Sequence, residues 1–319
     1  MNGHNQKEMY SATSYDPETN LYKVSKIDGQ YRTRGPLNVG FQITRRCNLK
    51  CIYCSELPNL PDLEFSQIEK GLKNLRDAGV LKINLTGGEA LLRKDIREII
   101  DTCKDLGFYV AIDSNATLVT DELADFLSDK LVYFESTIDG TPETHNRVRG
   151  RYDDVLKGIK KITERNIPTY LAMVLLGKSI EDMKHVLKVG HELGIKYVKF
   201  LTPIPKGRGK TLKSEYLDNP FLNDMWKEIC QYRKQEGLSP AISLADWKKI
   251  GRGSVILINS DGDMVGSPSI GEENCVTPMA NILQKAVDEM WKNFPHKDNH
   301  IRKYIGDTMF YELCLSERA

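Results

Sequence analysis

FQITRRCNLKCIYC, residues 41–54, joins a short apolar run to three cysteines spaced C-x3-C-x2-C, at Cys47, Cys51 and Cys54. The run reads as a buried strand, and the cysteines fall in the loop directly after it. In folds built on parallel strands, the loops at the carboxyl ends carry the chemistry. Seven cysteines is an odd number, and three thiols crowded on one loop make a poor disulfide framework, so the cluster reads as a metal site. Iron–sulfur clusters and structural zinc both usually take four protein ligands, yet no fourth cysteine or histidine lies nearby in the sequence. Two readings stay open at this point. One is an iron–sulfur cluster with an iron left free to bind something else; the other is zinc closed by a distant Cys or His.

Outward from this loop, residues 38–202 alternate short β-rich runs with amphipathic stretches, which predicts an α/β fold of βα units around a parallel sheet. Six strands are expected, at residues 38–44, 82–86, 109–113, 132–138, 169–176 and 197–202. Ser66-Gln67-Ile68-Glu69 and Ser179-Ile180-Glu181-Asp182 carry helix-start signals. Ile96, Ile99, Ile100, Cys103 and Leu106 form one helical stripe. Leu222, Met225, Trp226 and Ile229 form another with Cys230 beside it, so Cys103 and Cys230 read as core.

After about Leu238 the pattern changes. Residues 254–258 and 259–265 predict a β-hairpin turning at Asp261-Gly262, and Asn281 with Gln284 predicts a capped helix through Ile282, Met290 and Trp291 to Phe294. The expected division is an N-terminal arm over residues 1–37, with a small hairpin between Leu21 and Tyr31, a core over 38–237 and a small α+β module over 238–319.

Composition narrows the function classes. Hydrophobic residues at 40% and charged residues at 28% are globular values. The net charge of +1, with acids and bases intermixed, gives no global field for nucleic acid or an anionic membrane. The longest apolar stretch, residues 170–176, is far shorter than the ~18 residues of a membrane span. The first twenty residues contain no apolar signal core, so the cytoplasm is the expected setting.

Taken with Tyr53 before its last cysteine, the C-x3-C-x2-C loop resembles the hallmark of the radical S-adenosylmethionine (SAM) superfamily. The resemblance implies a partial (β/α)6 TIM-like barrel, a [4Fe-4S] cluster on Cys47, Cys51 and Cys54, and SAM chelating the fourth iron. Thr86-Gly87-Gly88-Glu89, ending the second expected strand, is similar to the family's GGE motif, which implies SAM contacts for Gly87, Gly88 and Glu89. Thr137-Ile138-Asp139-Gly140, followed by His145 and Arg149-Gly150, resembles a stretch of the peptide-modifying branch. That likeness implies that Thr137 bonds the ribose and Arg149 the SAM carboxylate, although Thr137 replaces the usual Ser and Asn146 the usual Asp. Asp139-Gly140 on its own reads as a strand-ending turn, and His145 as a solvated loop residue. Ser114-Asn115-Ala116 stands where relatives carry a T-N-G segment, which makes Asn115 a cofactor-site candidate.

Residues 253–291 resemble the SPASM or twitch appendage of that branch, which holds auxiliary clusters. Here only Cys275 and Cys314 remain in the module, so a degenerate appendage without an auxiliary cluster is expected. With no internal electron acceptor, the expected outcome is redox-neutral or quenched by a hydrogen atom. Epimerisation of a small molecule such as a sugar or natural-product intermediate fits, with Cys275 or Cys314 as candidate hydrogen-atom donors. Radical modification of a ribosomally made peptide is the alternative, and a zinc-stabilised binding module is the alternative of another class. The resemblance also implies a reductant such as flavodoxin or ferredoxin. Lys206-Gly207-Arg208-Gly209-Lys210, after the sixth strand, is a flexible basic loop that could grip an anionic group.

Overall fold

Two short hairpins lead into the main sheet: β1 (Thr13–Asp16) with β2 (Leu21–Val24), and β3 (Lys26–Ile27) with β4 (Gln30–Tyr31). The computed structural model describes residues 13–55, 60–177, 180–212, 219–269, 272, 275–306 and 315–317. Six parallel strands follow side by side in chain order: β5 (Asn38–Thr44), β6 (Lys82–Gly87), β7 (Tyr109–Asp113), β8 (Leu131–Thr137), β9 (Thr169–Val174) and β10 (Tyr197–Leu201). Each expected strand is found within two residues at either end. The connections carry α1 (Phe65–Asp77), α2 (Ile96–Asp105), α3 (Asp121–Leu127), α4 (Pro142–Val148), α5 (Tyr152–Glu164) and α6 (Ile180–Glu192).

The region after residue 237 builds onto both edges of this sheet. α7 (Asn219–Gln235) leads into β11 (Ala241–Ala245), which pairs parallel with β10. The chain then crosses to the far edge, where β12 (Val255–Ile258) pairs parallel with β5 and turns at Asp261-Gly262 into the antiparallel strands β13 (Asp263–Ser267) and β14 (Thr277–Asn281). α8 (Val287–Lys292), α9 (Lys297–Tyr304) and β15 (Leu315–Glu317), antiparallel to β11, complete the described chain. No helix among the described residues is long and apolar enough to cross a membrane.

The outer faces of the strands pack against the helical stripes read from the sequence. Ile96, Ile99, Ile100 and Cys103 of α2 are buried, as are Leu222, Met225, Ile229 and Cys230 of α7. The inner faces are different. Tyr133 stacks on Tyr170 with ring centroids 4.5 Å apart, and Lys82, at the start of β6, lies over the rings of Tyr15 and Tyr133 and bonds Asn20. The β1–β2 hairpin therefore covers the amino-terminal end of the strands with Tyr15 and Tyr22, leaving the carboxyl end for the site.

Three local expectations need correction. The cap of α1 is Glu64, whose N–H donates to Gln67 Oε1 at 2.9 Å, because the helix begins at Phe65 rather than after Ser66. Asn281 ends β14 and caps no helix: its Oδ1 accepts from Leu283 N, and its Nδ2 donates to Asp261 O. Helix α8 starts only at Val287, whose N–H donates to Asn74 Oδ1 of α1, while Asn74 Nδ2 donates to Ile282 O and Lys285 O. A side chain 213 residues away thus supplies the cap that the local sequence lacks. The start signal at Ser179 lies outside the described residues.

His300 of α9 joins two strand entries. Its Nε2 accepts from Leu37 N at 2.9 Å and its Nδ1 donates to Ser254 O at 3.0 Å, a pairing that only the neutral ring can make. Burial pushes its pKa down to about 3. A folded-state pKa below the unfolded value gives stability that is present above pH ~6.5 and is lost as pH falls. From pH 6.5 to 5 this one site should cost about 2 kcal/mol. Urea unfolding at both pH values should show that H300Q flattens this loss; parallel losses in the two proteins would contradict the assignment.

Candidate active site

The cysteine loop leaves the carboxyl end of β5 and is fastened on several sides. Asp62 accepts from Thr44 Oγ1 at 2.6 Å and from Arg45 N at 2.8 Å. Ile52 N donates to Val148 O at the end of α4. Asn48 Oδ1 accepts from Asn115 Nδ2 at 2.8 Å, and Asn115 Oδ1 accepts from Thr117 N and Oγ1. The Asn115 side chain is thus spent on tying the loop to the mouth of β7.

Gly87 and Gly88 serve the same loop. Gly88 N donates to Thr44 O and Glu89 N to Arg46 O, both at 2.8 Å, so the pairing of β5 with β6 continues past the strand ends. A Cβ on Gly87 would stand 2.2 Å from Thr44 O, and one on Gly88 2.4 Å from Arg46 O. Only glycine allows this approach. The main chain that the two glycines admit is that of the cysteine loop.

Beneath the loop, Glu89 is 1% exposed. Its Oε1 accepts from Ser114 Oγ at 2.7 Å and Leu91 N at 3.0 Å, and its Oε2 from Asn115 N at 2.7 Å. A carboxylate offers about four acceptor sites, so this one retains room for one more donor. Burial raises its pKa, and the three donors oppose that rise.

Asp139 is the centre of a second buried group. Its Oδ1 accepts from Val174 N at 3.0 Å, and its Oδ2 from Arg149 Nε at 3.0 Å and Tyr53 OH at 2.5 Å. Arg149 Nη2 also donates to Tyr53 OH at 2.6 Å. The group joins the cysteine loop to β8, β9 and the end of α4. His145, read from sequence as solvated, is fully buried: its Nδ1 accepts from Asp139 N, its Nε2 donates to Gly150 O, and burial holds its pKa down to about 4. Thr137, the last residue of β8, is half-buried, and no hydrogen bond of its hydroxyl is found among the described residues.

The three thiols share this space. Burial pushes Cys51 up to about 11, with the charges of Cys54 and Cys47 adding to the rise and Arg149 opposing it; Cys47 is also raised, chiefly by burial. Among the described residues no three Cys, His, Asp or Glu side chains are placed to hold one metal ion. A cluster in which each thiolate binds its own iron asks for neighbouring sulfurs on one loop, and its positive charge removes the penalty on deprotonation. The donor set therefore fits the [4Fe-4S] group, and the spare acceptor of Glu89 fits the ammonium of SAM.

The inner strand faces below the site carry charges that the sequence reading missed. Asp113 and Glu135 stand opposite each other on β7 and β8, and Lys199 of β10 pairs with Glu135. Burial, reinforced by Glu135, raises Asp113 to about 7, and burial lowers Lys82 to about 7. The signal was available: these residues alternate with apolar neighbours at the period of a strand.

Cys275 lies elsewhere. It follows β13, which runs antiparallel away from the Asp261-Gly262 turn, and its carbonyl accepts from Ser269 N. This places it toward the amino-terminal end of the parallel strands, about one strand length (~15 Å) from the cysteine loop. That placement removes the reason for naming it a hydrogen-atom donor. Cys314 lies outside the described residues.

The buried Asp139–Arg149–Tyr53 group is open to a direct test. Asp139→Ala strands a buried guanidinium and should lower unfolding free energy by about 3 kcal/mol. Tyr53→Phe removes one hydroxyl and should cost about 1 kcal/mol. Denaturant titration of the metal-free protein that gave the reverse order would contradict this arrangement.

Comparison with known proteins agrees with the geometry. Residues 41–189 match the family model of the Radical SAM superfamily. The chain is 30% identical over 189 residues to Fe-coproporphyrin III synthase of Methanosarcina barkeri, an alignment covering 56% of this chain and 47% of that protein. It is 31% identical over 169 residues to the sporulation killing factor maturation protein SkfB of Bacillus subtilis, covering 51% and 41%. The chain thus spans less than half the length of these curated relatives. In fold it is similar to Streptococcus suis SuiB bound to its precursor peptide SuiA, with a TM-score of 0.69 and 17% identity over 84% of this chain and 67% of that one. The matched segment, from β5 into α6, contains the cysteine loop, Gly87-Gly88-Glu89 and the Asp139–Arg149 pair, and is similar to a Radical SAM domain.

Proposed function

We propose that the protein is a radical SAM enzyme that modifies a ribosomally made peptide. The observation that carries the chemistry is three cysteines on one loop, locked by Gly87-Gly88 beside a buried carboxylate with acceptor capacity to spare. Support for a peptide comes from SkfB, named for maturation of a killing factor, and from SuiB, solved with a precursor peptide.

In this proposal Cys47, Cys51 and Cys54 ligate a [4Fe-4S] cluster. When bound, the cluster and SAM supply a 5′-deoxyadenosyl radical that takes a hydrogen atom from a substrate carbon. Glu89 receives the SAM ammonium at its remaining acceptor site. Arg149, held by Asp139 through Nε, turns its remaining N–H groups to the SAM carboxylate. Thr137 offers its hydroxyl to the ribose, and Tyr53 and Asn115 act by fixing Arg149 and the cysteine loop. Asp113, Glu135 and Lys199 face substrate polar groups below SAM. A flavodoxin- or ferredoxin-type protein supplies the electron, in the cytoplasm. The module after residue 237 brings only Cys275 and Cys314, so we further propose that it holds no auxiliary cluster.

A small-molecule substrate is the second reading, supported by the match to Fe-coproporphyrin III synthase. Epimerisation remains compatible with either substrate, with Cys314 as the remaining donor candidate named from sequence.

The test is anaerobic incubation of the reconstituted protein with SAM, dithionite and either a panel of precursor peptides or a panel of porphyrins and sugars. Peptide-dependent release of 5′-deoxyadenosine with modification of that peptide, followed by mass spectrometry in H2O and D2O, is the expected result. Cleavage stimulated only by the small molecules would overturn the peptide assignment. Cys47→Ala, Cys51→Ala and Cys54→Ala should each abolish cleavage.

A further inference from the structure

The basic loop after β10 reaches back to the cysteine loop. It winds into a short 3-10 turn, Gly207–Thr211, that lies on the cysteine loop. Arg208 donates its main-chain N–H to Cys54 O at 2.9 Å and its Nε–H to Cys51 O at 2.8 Å. One residue therefore holds the carbonyls of two candidate cluster ligands three positions apart. The approach requires Gly209, where a Cβ would stand 2.6 Å from Ile204 O and 3.1 Å from Tyr53 O.

From this contact we infer that Arg208 is a positioning residue for the cluster, and that the turn Gly207–Thr211 is the clamp that fixes the Cys51–Cys54 half of the loop. The inference rests on the reading of Cys47, Cys51 and Cys54 as cluster ligands.

The physical case follows from what else holds that half. Cys47 is flanked by the Asp62 bonds and the Gly88–Thr44 and Glu89–Arg46 pairing, all on the β5 side of the loop. Past Cys51, the main chain is held by Ile52 N to Val148 O, by the local Cys54 N to Cys51 O turn, and by Arg208. Arg208 is the contact that grips the carbonyls of both Cys51 and Cys54, and a donor with a fixed planar fork suits that task better than an ammonium. Arg208 is itself exposed, so its loss should leave the fold standing while loosening the loop locally.

The experiment compares the reconstituted wild type with R208A, R208K and G209A. Three readouts apply: iron loss to an excess of a ferrous chelator, the electron paramagnetic resonance line shape of the reduced cluster, and urea unfolding of the metal-free proteins. R208A should lose iron about five- to tenfold faster and show a broadened signal, while its unfolding midpoint stays at the wild-type value; G209A, whose Cβ must push the main chain aside, should lose iron at least as fast and unfold at a lower midpoint. Both R208A and R208K keep the main-chain N–H bond to Cys54 O; the lysine ammonium can still donate to Cys51 O, so R208K should fall between. Wild-type rates and line shapes in R208A overturn the inference, as does a lowered unfolding midpoint of metal-free R208A, which would make the contact a general structural one. A wild type that binds no iron overturns instead the reading on which the inference rests.

Discussion

The site depends on the close main-chain pairing of β5 and β6 beyond their strand ends. Two glycines let Gly88 N and Glu89 N reach the carbonyls of Thr44 and Arg46, so the first turn of the cysteine loop is an extension of the sheet. From that fixed start everything else takes its position. Glu89 is delivered under the loop, where Ser114 and the amide of Asn115 hold its carboxylate, and Asn115 reaches back to Asn48. Sheet register, cysteine placement and the orientation of the buried acid are consequences of one contact.

The other half of the loop is held by the Arg208 contacts and by charge. Asp139 and Arg149 are buried together, and their pairing with Tyr53 brings the aromatic between the second and third cysteines onto the mouth of β8. A buried ion pair is weak evidence of net stability, since desolvation offsets much of its attraction. Its value here is geometric: it sets where the loop ends and which way the guanidinium faces. The neutral ring of His145 keeps Asp139 at that place by accepting its N–H and closing the turn at Gly150.

Much of this was legible in the sequence because buried parallel strands are short apolar runs and helices bear one apolar stripe. The six core strands and the cysteine spacing follow from those rules. What escaped were features set by distant chain. Asn74 caps α8 across 213 residues, so residues 282–286 looked helical by periodicity though they form a turn. Asp139 looked like a turn residue because nothing local shows that Arg149 and Tyr53 converge on it. Asp113, Glu135 and Lys199 meet only because β7, β8 and β10 present them on one face of the sheet, a convergence that no local pattern shows. Cys275 looked available as a donor until the antiparallel direction of β13 carried it to the other end of the strands.

The central claim is that three cysteines leave one iron open for SAM. It is tested most directly by iron and sulfide analysis of the anaerobically reconstituted chain, with electron paramagnetic resonance of the reduced protein before and after SAM. The account predicts about four irons and four sulfides per chain and a spectrum that changes when SAM is added. Bound zinc, or an iron–sulfur signal indifferent to SAM, would contradict it.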